Sequence, residues 1–262
     1  MLIHLGGEIV KIDLTGKLAL VTGSTGDLGR TMIRTLIECG ADVVIHYREN
    51  VEYANKLLEE AIAAGKRAIT VQADITDYES VIKMKDYVIS NIGAPDIIVD
   101  SAVIQYSWES VLDQDIKDYE SQFYSCVMQN VFMAKAFVPY MIEKKYGRFI
   151  GINTECSMQS LPGQSAYVAG KRGMDGVLRV LAKEIGEHGI TVNQVAPGWT
   201  ISDRDRRDGT ERNFDYEKSV PLKRRGTDQE IANVVAFLAS DLASFITGAY
   251  IPVCGGNVMP TI

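Results

Sequence analysis

Histidine is scarce in this chain. His4, His46 and His188 are the only three, and none sits at a spacing that would share a metal ion with another. Cysteine is sparse as well: Cys39, Cys126, Cys156 and Cys254 are far apart and form no CxxC pair. That pattern offers neither a disulfide framework nor a metal cluster, so no bound metal is expected. Free thiols of this kind suit a reducing, cytoplasmic compartment. No apolar run approaches the roughly 18 residues that a membrane span needs. The first stretch, MLIHLGGEIVKIDLTG, has no basic segment followed by an apolar one, so no secretory signal is expected. Excess positive charge is absent too. A formal net charge of −7 lacks the electrostatic footprint of a nucleic-acid binder.

What the chain does have is alternation. Short, β-branched, apolar runs occur at 17–22, 42–47, 67–72, 96–101, 147–153, 189–195 and 249–253. Runs that are apolar at nearly every position suit strands buried on both faces. Between them, apolar residues recur at helical spacing over 28–39, 51–64, 78–91, 116–145, 165–187 and 228–239. Strand and helix in turn predict an α/β fold: a Rossmann-type, doubly wound parallel sheet of about seven strands with helices on both faces. The 262 residues fit a single dinucleotide-binding and catalytic domain, with 1–14 as an N-terminal extension. One segment stands apart. SDRDRRDGTERNFDYEKS, 202–219, is highly charged without clear periodicity. It reads either as a solvated loop or as a lid over a substrate pocket.

The first strand runs into TGSTGDLG, Thr22 to Gly29. A strand, a glycine turn and a helix start make an anion site, because free backbone N–H groups and the helix dipole favour a phosphate. Asp27 stands at that helix start, where a short acidic side chain can cap free N–H groups. The second strand ends in His46, Tyr47 and Arg48. In dinucleotide folds an acid here would accept from a ribose hydroxyl and favour NAD, whereas a base would favour the extra phosphate of NADP. The acid is missing and Arg48 is present, so NADP is expected over NAD.

Further along, Tyr167 and Lys171 are four residues apart and share one face of a helix. The ammonium can stabilise a phenolate and lower the tyrosine pKa. Such a tyrosine can pass a proton to or from a substrate oxygen while a nicotinamide carries hydride.

Taken together and in order, TG at Thr22–Gly23, Asp74 after the third strand, Tyr167 with Lys171, VNQVAPGW at 192–199 and the late stretch RGTDQEIANVVAFLASDLASFITGAYIPVCGG resemble the short-chain dehydrogenase/reductase family in its classical form. The resemblance runs from Leu14 to about Met259. It implies an oxidoreductase that interconverts a secondary alcohol and a ketone, with Tyr167 as acid/base and Lys171 supporting it. Thr154, thirteen residues before the tyrosine, falls where the family has its substrate-positioning serine. Threonine keeps the hydroxyl. The resemblance also implies cofactor contacts at Gly23, Ser24, Thr25, Asp27 and Leu28, then Tyr47 and Arg48, then Asp74 and Ile75. Ser101, Ala102 and Val103, and later Pro197, Gly198, Thr200 and Ile201, complete that set with Tyr167 and Lys171. Tyr106, Trp108, Glu109 and the 156–161 segment would line the substrate pocket. A small-molecule alcohol or carbonyl substrate and a homodimer or homotetramer follow from the same likeness.

The departures concern chemistry. The glycine spacing is TGxxGxxG, as in the extended branch of the family. The usual NNAG after strand four is Asp100–Ser101–Ala102–Val103. The helix asparagine of the family's proton relay aligns with Cys126, a weak hydrogen-bonding group. These changes leave a second reading open: a nucleotide-binding relative with weak or lost hydride chemistry, acting as a binding or regulatory protein.

Overall fold

A computed structural model describes residues 11–259; of the expected extension, residues 1–10 lie outside them. The chain order is β1 (Leu18–Val21), α1 (Asp27–Glu38), β2 (Asp42–Tyr47), α2 (Val51–Ala63), β3 (Ala68–Gln72), α3 (Tyr78–Asn91) and β4 (Ile97–Asp100). Then come α4 (Ile116–Gln122), α5 (Gln129–Lys144), β5 (Gly147–Ile152), α6 (Cys156–Gln159), α7 (Ser165–Ile185) and β6 (Ile190–Pro197). The last elements are β7 (Thr200–Ile201), α8 (Asp203–Asp208), α9 (Phe214–Ser219), β8 (Gly226–Thr227), α10 (Asp228–Ala239) and β9 (Tyr250–Val253).

Seven strands form one parallel sheet in the order β3-β2-β1-β4-β5-β6-β9, and β7 pairs with β8 apart from it. Strand alternation sorts the core into two layers. Ala19, Val21, Ile97 and Val99 face α1, α2 and α10. Leu18, Leu20 and Ile98 face α3, α5 and α7. The expected doubly wound sheet is therefore the observed one. Its order reverses between β1 and β4, and in such folds the crevice at that switch point is where ligands bind.

Thr22 stitches the switch point together. Its N–H donates to the Val99 carbonyl at 2.9 Å, and its hydroxyl accepts from the N–H groups of Ser101 and Ala102 and donates to Gln129. The expected long helix over 116–145 is broken. Residues Phe123–Met128 form a π-helical turn between α4 and α5. Gly170 explains the closeness of α7 there: a Cβ on it would lie 2.8 Å from the Gln122 carbonyl oxygen and 3.2 Å from Cys126 Cβ. π turns inside helices are frequent at functional sites.

Two local expectations need correction. The N-cap of α1 is Gly26, with no side-chain cap; Asp27 is the first helical residue and pairs with Arg30 instead. The segment 202–219 is not a plain loop. It holds α8, opened by a capping box between Ser202 and Asp205, and α9, capped by Asn213.

Candidate active site

A cleft of about 1140 Å³ opens at the C-terminal ends of the strands, from the glycine turn at one end to α6, α7 and α9 at the other. Of the residues expected to meet cofactor or substrate oxygen, only Ser24 and Tyr47 do not line it. Ser24 is fully buried and its hydroxyl donates back to the Val21 carbonyl. Tyr47 follows the alternation of β2 to the opposite side and packs on the α1–α2 layer. Glu109 is also absent from the lining, whereas Tyr106 and Trp108 belong to it.

The phosphate end fits a dinucleotide. Gly23 has φ +66, and a Cβ on Gly29 would stand 2.1 Å from the Gly23 carbonyl oxygen. At positions 23 and 29 only glycine fits, which leaves room for a phosphate against the start of α1. Beneath it lies a residue that the spacing arguments miss. His46 Nδ1 accepts from the Gly23 N–H at 2.9 Å, and its Nε2 faces the Ala73 carbonyl oxygen at 3.1 Å. Burial pushes its pKa down to about 4, so the ring is a neutral brace joining β2, β3 and the turn. A histidine at a strand's end beside the glycine turn is the signal that could have found it. Arg48 reaches the cleft rim with its side chain half exposed, paired to Glu49 at 3.0 Å. Asp74 accepts from the Thr76 N–H and hydroxyl, which fixes the turn bordering the cleft.

At the other end Thr154, Tyr167 and Lys171 share one wall. The Lys171 ammonium donates to the Ile152 carbonyl at 2.6 Å and lies 5.8 Å from the Tyr167 ring centroid. Asn153 locks this arrangement: its amide donates to the Lys171 carbonyl and to Gln194, and its side-chain oxygen accepts from the Thr154 N–H. The Tyr167 N–H donates to the Tyr106 hydroxyl at 2.7 Å, and the Tyr167 ring stacks on Trp108 at 6.0 Å. The phenol does not have the lowered pKa expected from its lysine. Burial pushes it up, only partly offset by a hydrogen bond with Thr154. The site thus keeps the proton on Tyr167, the form that can donate to a carbonyl oxygen.

Sequence reasoning also missed Glu155 and Tyr216. Glu155 is buried beside Thr154 and accepts from the Tyr216 hydroxyl at 2.9 Å and from the Asn257 amide at 3.1 Å. Burial pushes its carboxyl up, against those two hydrogen bonds. The Tyr216 hydroxyl accepts in turn from the Trp199 N–H, and through Glu155 α9 is tied to the wall that carries Thr154. Arg225, with a side chain 1% exposed, holds the neighbouring segment through Asp205 and the carbonyls of Thr200 and Thr210.

That tethering is pH-dependent. Arg225 holds the Asp205 carboxyl well below its usual value. Carboxylates with depressed pKa stabilise fully above their unfolded values of about 4 and lose that contribution as pH falls through the folded ones. Acidification from pH 5 towards 2 is therefore expected to expose residues 202–213 to an acid-active protease before the rest of the domain. Cleavage elsewhere first would show that the Arg225–Asp205 ion pair does not hold the segment.

A family model described as enoyl-(acyl carrier protein) reductase matches residues 24–257. A 3-oxoacyl-(acyl-carrier-protein) reductase of Staphylococcus epidermidis is 34% identical over 253 residues, covering 93% of this chain and 99% of that protein. The enzyme of the same name from Pseudomonas aeruginosa is 34% identical over 252 residues, covering 95% and 100%. Among solved structures, a gluconate 5-dehydrogenase from Burkholderia cenocepacia in complex with NADP and tartrate superposes with a TM-score of 0.86 at 27% identity, covering 94% of this chain and 97% of that one. A blue fluorescent protein from a metagenomic library in complex with NADPH gives 0.87 at 31% identity, covering 94% and 100%. Among the described residues no helix is long and apolar enough to cross a membrane. With sheet order, ordered motifs and these relatives in agreement, the chain belongs to the short-chain dehydrogenase/reductase family of oxidoreductases.

Proposed function

We propose that the protein is an NADP-preferring reductase that interconverts a ketone and a secondary alcohol, with Tyr167 as the acid/base. The observation that carries this reading is one cleft with a glycine cradle and Arg48 at one end and Thr154, Tyr167 and Lys171 at the other. NADP, when bound, supplies or accepts the hydride. The chain's own residues do the rest. Thr154 orients the substrate oxygen, and Tyr167 gives it a proton in reduction and takes one back in oxidation. Lys171, held by Ile152, sets the charge beside that phenol. The names of the relatives support a carbonyl or alcohol substrate, and the two complexes with NADP and NADPH support the cofactor. Residues 202–219 act as the lid of the substrate end, because Ser202, Asp205 and Tyr216 line it. Assembly into two or four copies would cover Phe123 and Tyr124, which are exposed on the π-helical turn.

The reading is tested by following NADPH consumption with a panel of 3-oxoacyl thioesters, keto sugars and simple ketones. Tight NADPH binding with no turnover across the panel would favour the binding-protein reading instead. The cofactor choice has its own test. Arg48→Ala is expected to weaken NADPH binding by roughly tenfold, about the lower end for a charge-assisted hydrogen bond, and to leave NADH nearly unchanged. Equal losses for both cofactors would remove Arg48 from phosphate recognition.

A further inference from the structure

Asp100 ends β4 at the switch point and is 1% exposed. Neither carboxyl oxygen has a hydrogen-bond partner among the described residues. Strand alternation puts its side chain on the face of Ile98, towards α5 and α7. Two more buried polar atoms on that side lack partners, Ser125 Oγ and Asn130 Oδ1. Asn130 Oδ1 lies over Gly151, the residue paired in register with Asp100, since a Cβ there would be 3.5 Å from it. The Lys171 ammonium sits on the carbonyl of the next residue, Ile152. A buried carboxyl group thus ends the strand next to the one whose Ile152 carbonyl holds Lys171, and it does not line the cleft. The family's asparagine position nearby holds Cys126, whose thiol faces Gln122 at 3.7 Å.

We propose that Asp100 is a positioning residue that acts through Lys171: it holds a proton at neutral pH and, on losing it, places a negative charge near the Tyr167–Lys171 pair. This rests on the proposed role of Tyr167. Geometry supports the first half, because an ionised carboxylate with no donor is too costly to bury. Burial raises its carboxyl well above the usual carboxylate range, and Lys171 is the charge that opposes this. The titratable groups on the elements packed around it include Lys171 and Tyr167 of α7 and Cys126 of the π-helical turn; β1 has none. Arg148 of β5 is in register with Ile97 at the start of β4. Of the α5 groups, Lys135, Glu143 and Lys144 are exposed and Tyr140 is half-buried near the C-terminal end of the helix. Once Asp100 ionises, its charge favours the ammonium of Lys171 and disfavours the phenolate of Tyr167. It therefore extends to higher pH the range over which Tyr167 can donate.

Asp100→Asn keeps the shape, removes the charge and gives the residue that the family pattern has at this position. The variant is expected to bind NADPH like the wild type. The alkaline limb of its kcat/KM profile for ketone reduction is expected to move to lower pH by about one unit, the low end for a nearby charge. Coincident limbs in the two proteins would overturn the proposal. A second readout needs no turnover and leaves Asp100 in place. Infrared spectra of the unliganded protein should show a protonated carboxylic acid at pH 7 that persists in Glu155→Gln, Glu155 being the other carboxyl that burial pushes up. Its absence in that variant would overturn the proposal even if Asp100→Asn did not fold. A wild type that turns over no ketone would instead fail the functional reading, and the infrared band would still decide the state of Asp100.

Discussion

Tyr167→Phe is expected to reduce turnover by about 10²–10⁴-fold, the range for a positioned acid/base group, while leaving NADPH affinity within about twofold. The substitution removes one oxygen and little else. The ring would keep its stacking on Trp108, and the backbone N–H would still donate to Tyr106 at 2.7 Å. Thr154 would lose the phenol as a partner but keep its contact from the Cys156 N–H at 3.2 Å. Because burial holds the proton on the phenol, the lost oxygen is the proposed donor. The split matters more than the size. A fall in kcat with unchanged NADPH titration assigns Tyr167 to the chemistry. Unchanged turnover would remove it, and parallel loss of cofactor binding would make it a structural residue of the cleft.

The strands were legible because each is buried on both sides, so apolar character at every position marks them without help from neighbours. Tyr167 and Lys171 were legible for a related reason: four residues on a helix is a purely local spacing. The features that escaped are those created by tertiary contact. Nothing local in FYSCVM announces a π turn, because it is the approach of α7 at Gly170 that meets the chain there. Nothing in DSAV shows that its aspartate faces inward without a donor, since that depends on which layer of helices covers β4. The family resemblance implies cofactor contacts at Ser24 and Tyr47, but it cannot show side-chain direction: the Ser24 hydroxyl turns back on its own strand and Tyr47 follows the pleat away from the cleft. The charged segment 202–219 looked irregular because its helices have only six residues each, too few for a period to emerge. Their ends are fixed by capping and by Arg225, a buried cation supplied from twenty residues beyond Asp205.

Gly29→Ala is expected to be the most damaging single-methyl change in the cleft. The added carbon would lie 2.1 Å from the Gly23 carbonyl oxygen, 2.8 Å from Ser24 Cα and 2.9 Å from the Gly23 carbonyl carbon. All three are backbone atoms, so no rotamer change can relieve the contact. The turn cannot easily retreat. The Gly23 N–H is held by His46, and on its far side Gly23 already approaches Ala102 so closely that a Cβ would meet Ala102 Cα at 2.9 Å. Nor can α1 move off freely, because Met32, Ile33 and Leu36 are fully buried under it. Overpacking of this kind costs about 1–3 kcal/mol or more, and here the strain falls on the backbone that would face the phosphate. NADPH affinity is expected to fall by at least about tenfold, together with a lower unfolding midpoint. Gly26→Ala is the control within the same turn. Its Cβ would meet only the Gly23 carbonyl oxygen, at 3.3 Å, and its φ of −77 suits any residue. That variant should lose less than about 1 kcal/mol of stability. Equal damage from both substitutions would mean that the sequence pattern of glycines, rather than the close approach of Gly29 to Gly23, governs the turn.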